Sequence, residues 1–190
     1  MNFKPRCAWV NESDIYKAYH DNEWGKPEHD DGKLFEMLTL EAFQAGLSWI
    51  TILKKREGFR AAFDGFDPRK VALYDERKID KLLQNNQIIR HRGKITAAVH
   101  NARAFLDVQQ KYGSFDKMIW SYVNDVPLIG YRKTVREIPA HTELSAKISK
   151  DLKKMGFKFM GPATVYAFMQ AAGLVNDHTE ACFLYPGKKR

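Results

Sequence analysis

Apolar residues recur at intervals of three and four along most of this chain, and runs of alternating β-branched residues are scarce. That pattern confines the fold to packed helices, because a half-buried strand needs a period of two. Leu34, Phe35, Met37, Leu38 and Ala45 mark one amphipathic helix, and Trp49, Ile50, Ile52 and Leu53 begin a second. Asp67-Pro68 opens a third, with proline where its missing N–H costs nothing. Ile79, Leu82 and Leu83 mark a short fourth. A longer run over 95–108 ends at Tyr112-Gly113, and helices are predicted over 115–123, 144–155 and 163–172. The stretch 130–139 is irregular and reads as a loop, as does the polar run 19–25. No repeat, linker or low-complexity segment interrupts the 190 residues. The expectation is one all-α domain spanning 1–190, closing in a frayed Gly187-Lys188-Lys189-Arg190 tail.

Lysine and arginine number 31 against 23 acids, a formal charge of +8. A polyanionic partner would suit that balance, and so would a plain solvated surface. No apolar run approaches the roughly 20 residues of a membrane span. Residues 1–6 carry charge and no apolar core, so no signal peptide and no membrane are expected, and the cytoplasm is the default. There Cys7 and Cys182, at opposite ends of the chain, are not expected to form a disulfide.

Five constellations can carry chemistry. Cys7 and His20 near the start, with His178 and Cys182 near the end, make a complete tetrahedral zinc set, and His178-x3-Cys182 places two ligands on one face of a turn. The spacing is equally compatible with buried thiols and ordinary histidines. Trp9, Tyr16, Tyr19 and Trp24 crowd a polar segment; such faces suit a stacked, cationic nucleobase, and they also suit a plain core. Leu34, Leu38, Glu41 and Ala45 share one helical stripe, so Glu41 takes a position that the pattern assigns to an apolar residue. A carboxylate there is either paired structurally or accepts base N–H groups at a pocket floor. The Gly46-Leu47-Ser48 turn that follows projects Leu47 outward as a possible wedge between bases. Basic stretches at Lys54-Lys55-Arg56 and Arg90-His91-Arg92-Gly93-Lys94 suit phosphates or simply water. A glycine-punctuated hairpin from Gly156 through Lys158 to Gly161 offers free backbone N–H groups, and lacks the Lys-Ser/Thr of a P-loop.

Together, CAWV at 7–10, YHDNEWG at 19–25, QAGLSWI at 44–50, LKKRE at 53–57, IIRHRGKI at 88–95, GFKFMG at 156–161 and GLVNDH at 173–178 resemble the DNA-3-methyladenine glycosylase I family. The likeness runs from Cys7 to Pro186. It implies an all-α helix-hairpin-helix glycosylase fold, two-lobed around a DNA groove, with a structural zinc on Cys7, His20, His178 and Cys182 joining the termini. It implies Glu41 in a base pocket walled by Trp9, Tyr16, Tyr19, Trp24 and Trp49. The DNA contacts expected on this basis are Gly46, Leu47, Lys54, Lys55, Arg92, Lys94, Lys158 and Gly161. The implied activity is hydrolysis of the N-glycosidic bond of 3-methyladenine in double-stranded DNA, by a monomer.

The chemistry implied is physically modest. Methylation at N3 makes the base cationic in DNA, so it leaves as a neutral molecule and needs no strong acid. No lysine stands out as a Schiff-base nucleophile, and no acid follows Gly161, so the activity expected is monofunctional. Phe43 sits where the family often carries a polar residue; facing the pocket or groove it would alter substrate range or DNA contact, and facing the core it changes nothing. The alternatives are a non-catalytic DNA-binding protein of the same fold and a zinc-stabilised RNA-binding module.

Overall fold

The computed structural model describes residues 4–187. Lys188, Lys189 and Arg190 of the expected tail lie outside them. The described chain is helical, as the periodicity predicts. In order come α1 (Asp14–Asn22), α2 (Asp31–Gln44), α3 (Trp49–Ala62), the short α4 (Pro68–Val71), α5 (Glu76–Gln84), α6 (Arg92–Tyr112), α7 (Phe115–Trp120), α8 (Glu143–Lys154) and α9 (Pro162–Ala171). Two-residue strands β1 (Leu128–Ile129) and β2 (Val175–Asn176) pair in parallel, with Leu128 opposite Val175.

Helix α1 takes in residues 19–22 of the stretch 19–25 that reads as a loop, and only 23–25 form a turn. Tyr16, Tyr19 and His20 form one stripe of this helix, and Tyr19 and His20 are its buried residues. The tyrosine hydroxyls and the polar His20 make this face amphipathic rather than plainly apolar, so the helical pattern over 14–22 is weak in sequence. Gly25 then turns the chain at φ 76°, and a Cβ there would lie 3.1 Å from His178 Nε2. Only glycine allows that approach without strain.

Helix α2 runs through the middle, with every residue from Leu34 to Phe43 buried. It packs against α3, α6, α7 and α9. Phe43 faces this core, fully buried and edge-on to Phe59 with ring centres 4.7 Å apart. Its side chain therefore reaches neither pocket nor groove. A second aromatic seam joins Phe35, Phe105 and Phe115, the last pair stacked at 4.4 Å. A smaller cluster holds Cys7, Tyr19, Trp24, Leu53 and Cys182 together where the two ends of the described chain meet. There the Phe183 N–H donates to the Pro5 carbonyl at 2.8 Å.

Helix starts carry the caps that satisfy their free N–H groups. Asp30, Asp67, Asp75, His91 and Ser114 each accept from the turn they open. Thr142 and Ser145 form a reciprocal capping box at α8. Asp31 does a longer-range version of the same task. Its carboxylate accepts from the backbone N–H groups of Phe115 (2.9 Å) and Asp116 (2.8 Å) and from Gln109 Nε2 (2.6 Å). It thereby ties α2 to α6 and to the start of α7. Asp31→Ala is expected to lower the unfolding free energy by about 1–2 kcal/mol in urea titration. A loss below about 0.5 kcal/mol would mean that water replaces the carboxylate there.

Candidate functional site

A cavity of about 310 Å³ opens where α1, α2, α3 and α9 converge. All five aromatics expected at a pocket line it: Trp9, Tyr16, Tyr19, Trp24 and Trp49. Tyr16 and Tyr19 come from α1, Trp24 from the turn after it, and Trp49 from the first residue of α3. Their rings meet at steep angles, Trp9 on Tyr16 at 5.1 Å and 61°, Trp9 on Trp24 at 5.0 Å and 73°. Edge-to-face packing holds these rings against one another along the cavity wall.

Glu41 reaches the same cavity from the last turns of α2. Its side chain is 4% exposed and its Oε2 has no hydrogen-bond partner among the described residues. Trp49 Nε1 beside the cavity is likewise a buried donor without an acceptor. Burial pushes the Glu41 carboxyl up to about 8, because a bare charge in an apolar wall is costly. The neighbouring Tyr19 phenol is raised well above its usual value, chiefly by burial and then by Glu41. A second acid of the same helix shows the contrast. Glu36, also buried, is neutralised by Arg56 at 2.5 Å and Arg60 at 2.9 Å. The two buried acids of α2 are thus treated oppositely, one paired with two guanidinium groups and one left facing a cavity.

Five further residues line the cavity: Gln44, which opens the QAGLSWI segment, and Val135, Ile138, Ala167 and Gln170, which lie outside every motif. Val135 and Ile138 belong to the irregular stretch 130–139, which contains a 3-10 turn at Val135–Glu137. Only its lack of periodicity marked it. Gln170, one polar residue on α9, carried no signal in sequence.

Cys7, His20, His178 and Cys182 come together as one buried cluster, with all ligand atoms within 4.8 Å of one another. Cys182 Sγ lies 3.4 Å from His20 Nε2 and 3.5 Å from His178 Nδ1, and Cys7 Sγ lies 3.6 Å from His178 Nδ1. A tetrahedron with metal–ligand bonds of about 2.0–2.3 Å has edges of about 3.3–3.8 Å. The outer nitrogens of both rings are also engaged. His20 Nδ1 is 2.8 Å from Asp21 Oδ1, and Asp21 is held in turn by Arg6 at 2.6 Å. His178 Nε2 is 3.1 Å from the Trp24 carbonyl oxygen. Each imidazole therefore donates outward and turns its lone pair inward, as a metal ligand must. Backbone N–H groups of Thr179 and Leu184 point at the two sulfurs. These four residues can hold a metal ion.

The expected DNA-facing residues fall on adjoining segments. Gly46, at φ 81° with open space around its Cβ position, carries a turn from which Leu47 projects 39% exposed. His91, which caps the start of α6, lies edge-on to Phe159 of the 156–161 hairpin with ring centres 6.4 Å apart, and a Cβ at Gly93 would fall 3.8 Å from the same ring, so these two segments are neighbours. The hairpin is clamped by a buried amide that sequence reasoning missed: Asn101 accepts from the Lys158 N–H at 2.7 Å and donates to its carbonyl at 3.1 Å. Lys158 itself is exposed, and Gly161 caps the start of α9. Lys54 is exposed, whereas Lys55 donates to the Asn86 carbonyl at 2.6 Å and Arg92 pairs with Glu76 and Asp80. Lys94 is a correction. It is 7% exposed, and its ammonium donates to the carbonyls of Phe43 (2.8 Å) and Ala45 (2.6 Å). Those are free carbonyls at the end of α2, so Lys94 fixes the Gly46 turn from inside and does not reach a phosphate.

The sequence matches the methyladenine glycosylase family over residues 9–185. It is 55% identical to DNA-3-methyladenine glycosylase 1 of Escherichia coli (strain K12) over 184 residues, covering 97% of this chain and 98% of that one. It is 52% identical to the DNA-3-methyladenine glycosylase of Haemophilus influenzae, covering 93% and 96%. Its fold superposes on a crystal structure of 3-methyladenine DNA glycosylase I with a TM-score of 0.93 at 54% identity, covering 95% of this chain and all of that one. A Staphylococcus aureus 3-methyladenine DNA glycosylase I, solved to describe recognition of 3-methyladenine, superposes at 0.92 and 42% identity, covering 97% and 98%.

The Glu41 geometry sets a pH signature. Its carboxyl stays protonated in the folded protein up to about pH 8, while in the unfolded chain it ionises near its usual 4.5. Folding holds the extra proton, so the stability this group confers is full below about 4.5 and is lost as pH rises through about 8. Glu41→Gln cannot ionise. Its stability relative to wild type is expected to rise steadily across that window in denaturant titrations. A difference independent of pH would show that Glu41 is paired or hydrated.

Proposed function

The chain belongs to the methyladenine glycosylase family, and we propose that it is a monofunctional DNA glycosylase that removes 3-methyladenine from double-stranded DNA in base excision repair. The observation that carries this reading is a single unpartnered carboxyl, Glu41, buried at the wall of an aromatic cavity. Such a pocket is incomplete until a flat ring with N–H donors enters it.

Binding takes the damaged nucleotide out of the duplex, at a cost of a few kcal/mol that is smaller for a damaged base. Trp9, Tyr16, Tyr19, Trp24 and Trp49 supply the surrounding faces, which favour a cationic ring over a neutral one. The cation also favours the ionised form of Glu41, whose carboxylate then accepts from the exocyclic amine. A base without that donor leaves a buried acceptor unpaired, which is how the site discriminates. The C1′–N9 bond breaks with its electron pair moving to the base, which departs neutral. Water bonds to C1′ and loses a proton, leaving an abasic site. Recognition is the first role of Glu41 and proton acceptance the second. Leu47 on its turn, Lys54, Lys158 and the Gly161 helix start provide the DNA-facing surface, and their charges make binding salt-sensitive.

With alkylated duplex DNA the protein is expected to release free 3-methyladenine, detected chromatographically. Glu41→Gln is expected to bind 3-methyladenine about tenfold more weakly, read from quenching of pocket tryptophan fluorescence. Duplex binding without base release would overturn the enzyme reading in favour of a non-catalytic DNA-binding protein. Tighter binding to structured RNA than to duplex DNA would favour an RNA-binding module.

The metal that fits the terminal cluster is zinc, held by Cys7, His20, His178 and Cys182. Two thiolates and two neutral imidazoles are its preferred structural set, and they leave no ligand position for substrate, so its contribution is structural. No helix among the described residues is long and apolar enough to cross a membrane; the same reading has one domain, acting as a monomer in the cytoplasm. Protein purified without chelators is expected to contain one zinc per chain by atomic absorption. Cys182→Ser is expected to lose the metal and melt at a lower temperature. Wild-type stability in that variant would remove the metal from the fold.

A further inference from the structure

Asp177 is completely buried and accepts from three side chains. Its Oδ2 takes the Tyr166 hydroxyl at 2.5 Å and Gln170 Nε2 at 2.8 Å, and its Oδ1 takes Arg132 Nε at 3.1 Å. Tyr166 and Gln170 lie four residues apart on α9 and so share a face. Burial, and then Asp177 itself, pushes the Tyr166 phenol well up, so it remains a donor. The approach is tight enough that a Cβ at Gly130 would fall 1.9 Å from Asp177 Oδ1.

With a guanidinium, a phenol and an amide all directed at its two oxygens, Asp177 serves as an acceptor on every side. It therefore decides which way round the Gln170 amide sits: nitrogen to Asp177, oxygen away from it. Gln170 lines the cavity, and its Oε1 has no hydrogen-bond partner among the described residues. We infer that Gln170, oriented by Asp177, is a second base-reading acceptor, whose side-chain oxygen takes an N–H of the exocyclic amine of 3-methyladenine. This rests on the function proposed above. The amine of 3-methyladenine carries two N–H groups and is the base's only donor. Glu41 from α2 takes one and Gln170 from α9 takes the other, so the amine is read by two helices. A base with a carbonyl oxygen at that position would set oxygen against oxygen. Asp177 touches no base; it is a positioning residue. Through Arg132 it also anchors the stretch that brings Val135 and Ile138 to the cavity.

The test is fluorescence titration with 3-methyladenine and with 3-methylhypoxanthine, in which oxygen replaces the amine. Wild type is expected to prefer 3-methyladenine. Gln170→Ala and the similarly shaped Gln170→Met are both expected to bind it about tenfold more weakly, with binding of 3-methylhypoxanthine changed little, so selectivity narrows. Asp177→Asn can donate to the amide oxygen and release its orientation. It should narrow selectivity in the same way, and combining it with Gln170→Ala should add nothing further. Wild-type affinity in Gln170→Met would mean that Gln170 acts by packing, and additive losses in the double variant would make Asp177 merely structural; either overturns the inference. The two Gln170 variants decide the matter if Asp177→Asn fails to fold. Wild-type protein that binds neither base would instead sink the proposed function.

Discussion

A helix buried on all sides is a poor place for a carboxyl group, and α2 buries two of its three. Glu36 is matched by Arg56 and Arg60, and Arg56 also reaches Glu23 at 2.7 Å just beyond α1. That network fastens α3 to the end of α1 while it neutralises the acid. Glu41, one and a half turns later, has no such partner and is held in its uncharged form instead. The fold accepts a destabilised group at one point and surrounds it with rings. Stability is given up where a ligand is to supply the missing partner.

The cluster at the chain ends bears directly on the pocket. His20 follows Tyr19 on α1, and His178 follows Asp177 after β2. Trp9 packs on the His20 ring at 5.3 Å and Trp24 on the His178 ring at 4.8 Å. Holding the two imidazoles therefore holds two walls of the cavity. A structural ion here would act on recognition by keeping aromatic faces in place, although nothing about it touches the base. Asp177 and Asp21 occupy comparable positions next to the two histidines. One orients Gln170, and the other orients His20 while Arg6 holds its own carboxyl below the usual range.

The basic surface is less uniform than its charge suggests. Lys94 and Arg56 are spent internally on carbonyls and carboxylates, and Arg92 is paired on the surface. The exposed cations Lys54 and Lys158 lie on α3 and in the hairpin. Asn101 and Ser149 hold that hairpin by its backbone, through Lys158 and Met160. Rigid backbone with free charges at its edge suits a polyanion whose sequence is not read.

Helical periodicity, the helix-opening proline at position 68, the four Cys and His positions and an acid on an apolar stripe were all legible in the residues. Each is a local pattern, or a residue type whose chemistry is costly to bury for no reason. Helix α1 escaped because its buried face is made of tyrosine and histidine. Lys94 escaped because a lysine in a basic run looks the same whether its ammonium meets water or the carbonyls of Phe43 and Ala45, 51 and 49 residues earlier at the end of α2. Gln170, Val135 and Ile138 escaped because what makes them part of the cavity is the packing of distant segments. The sequence by itself determined that the chain is helical, that its ends can share a metal and that Glu41 must be satisfied or functional. Only the tertiary structure decided which buried polar groups are paired and which are left for a ligand, because pairing depends on distances between residues far apart in the chain.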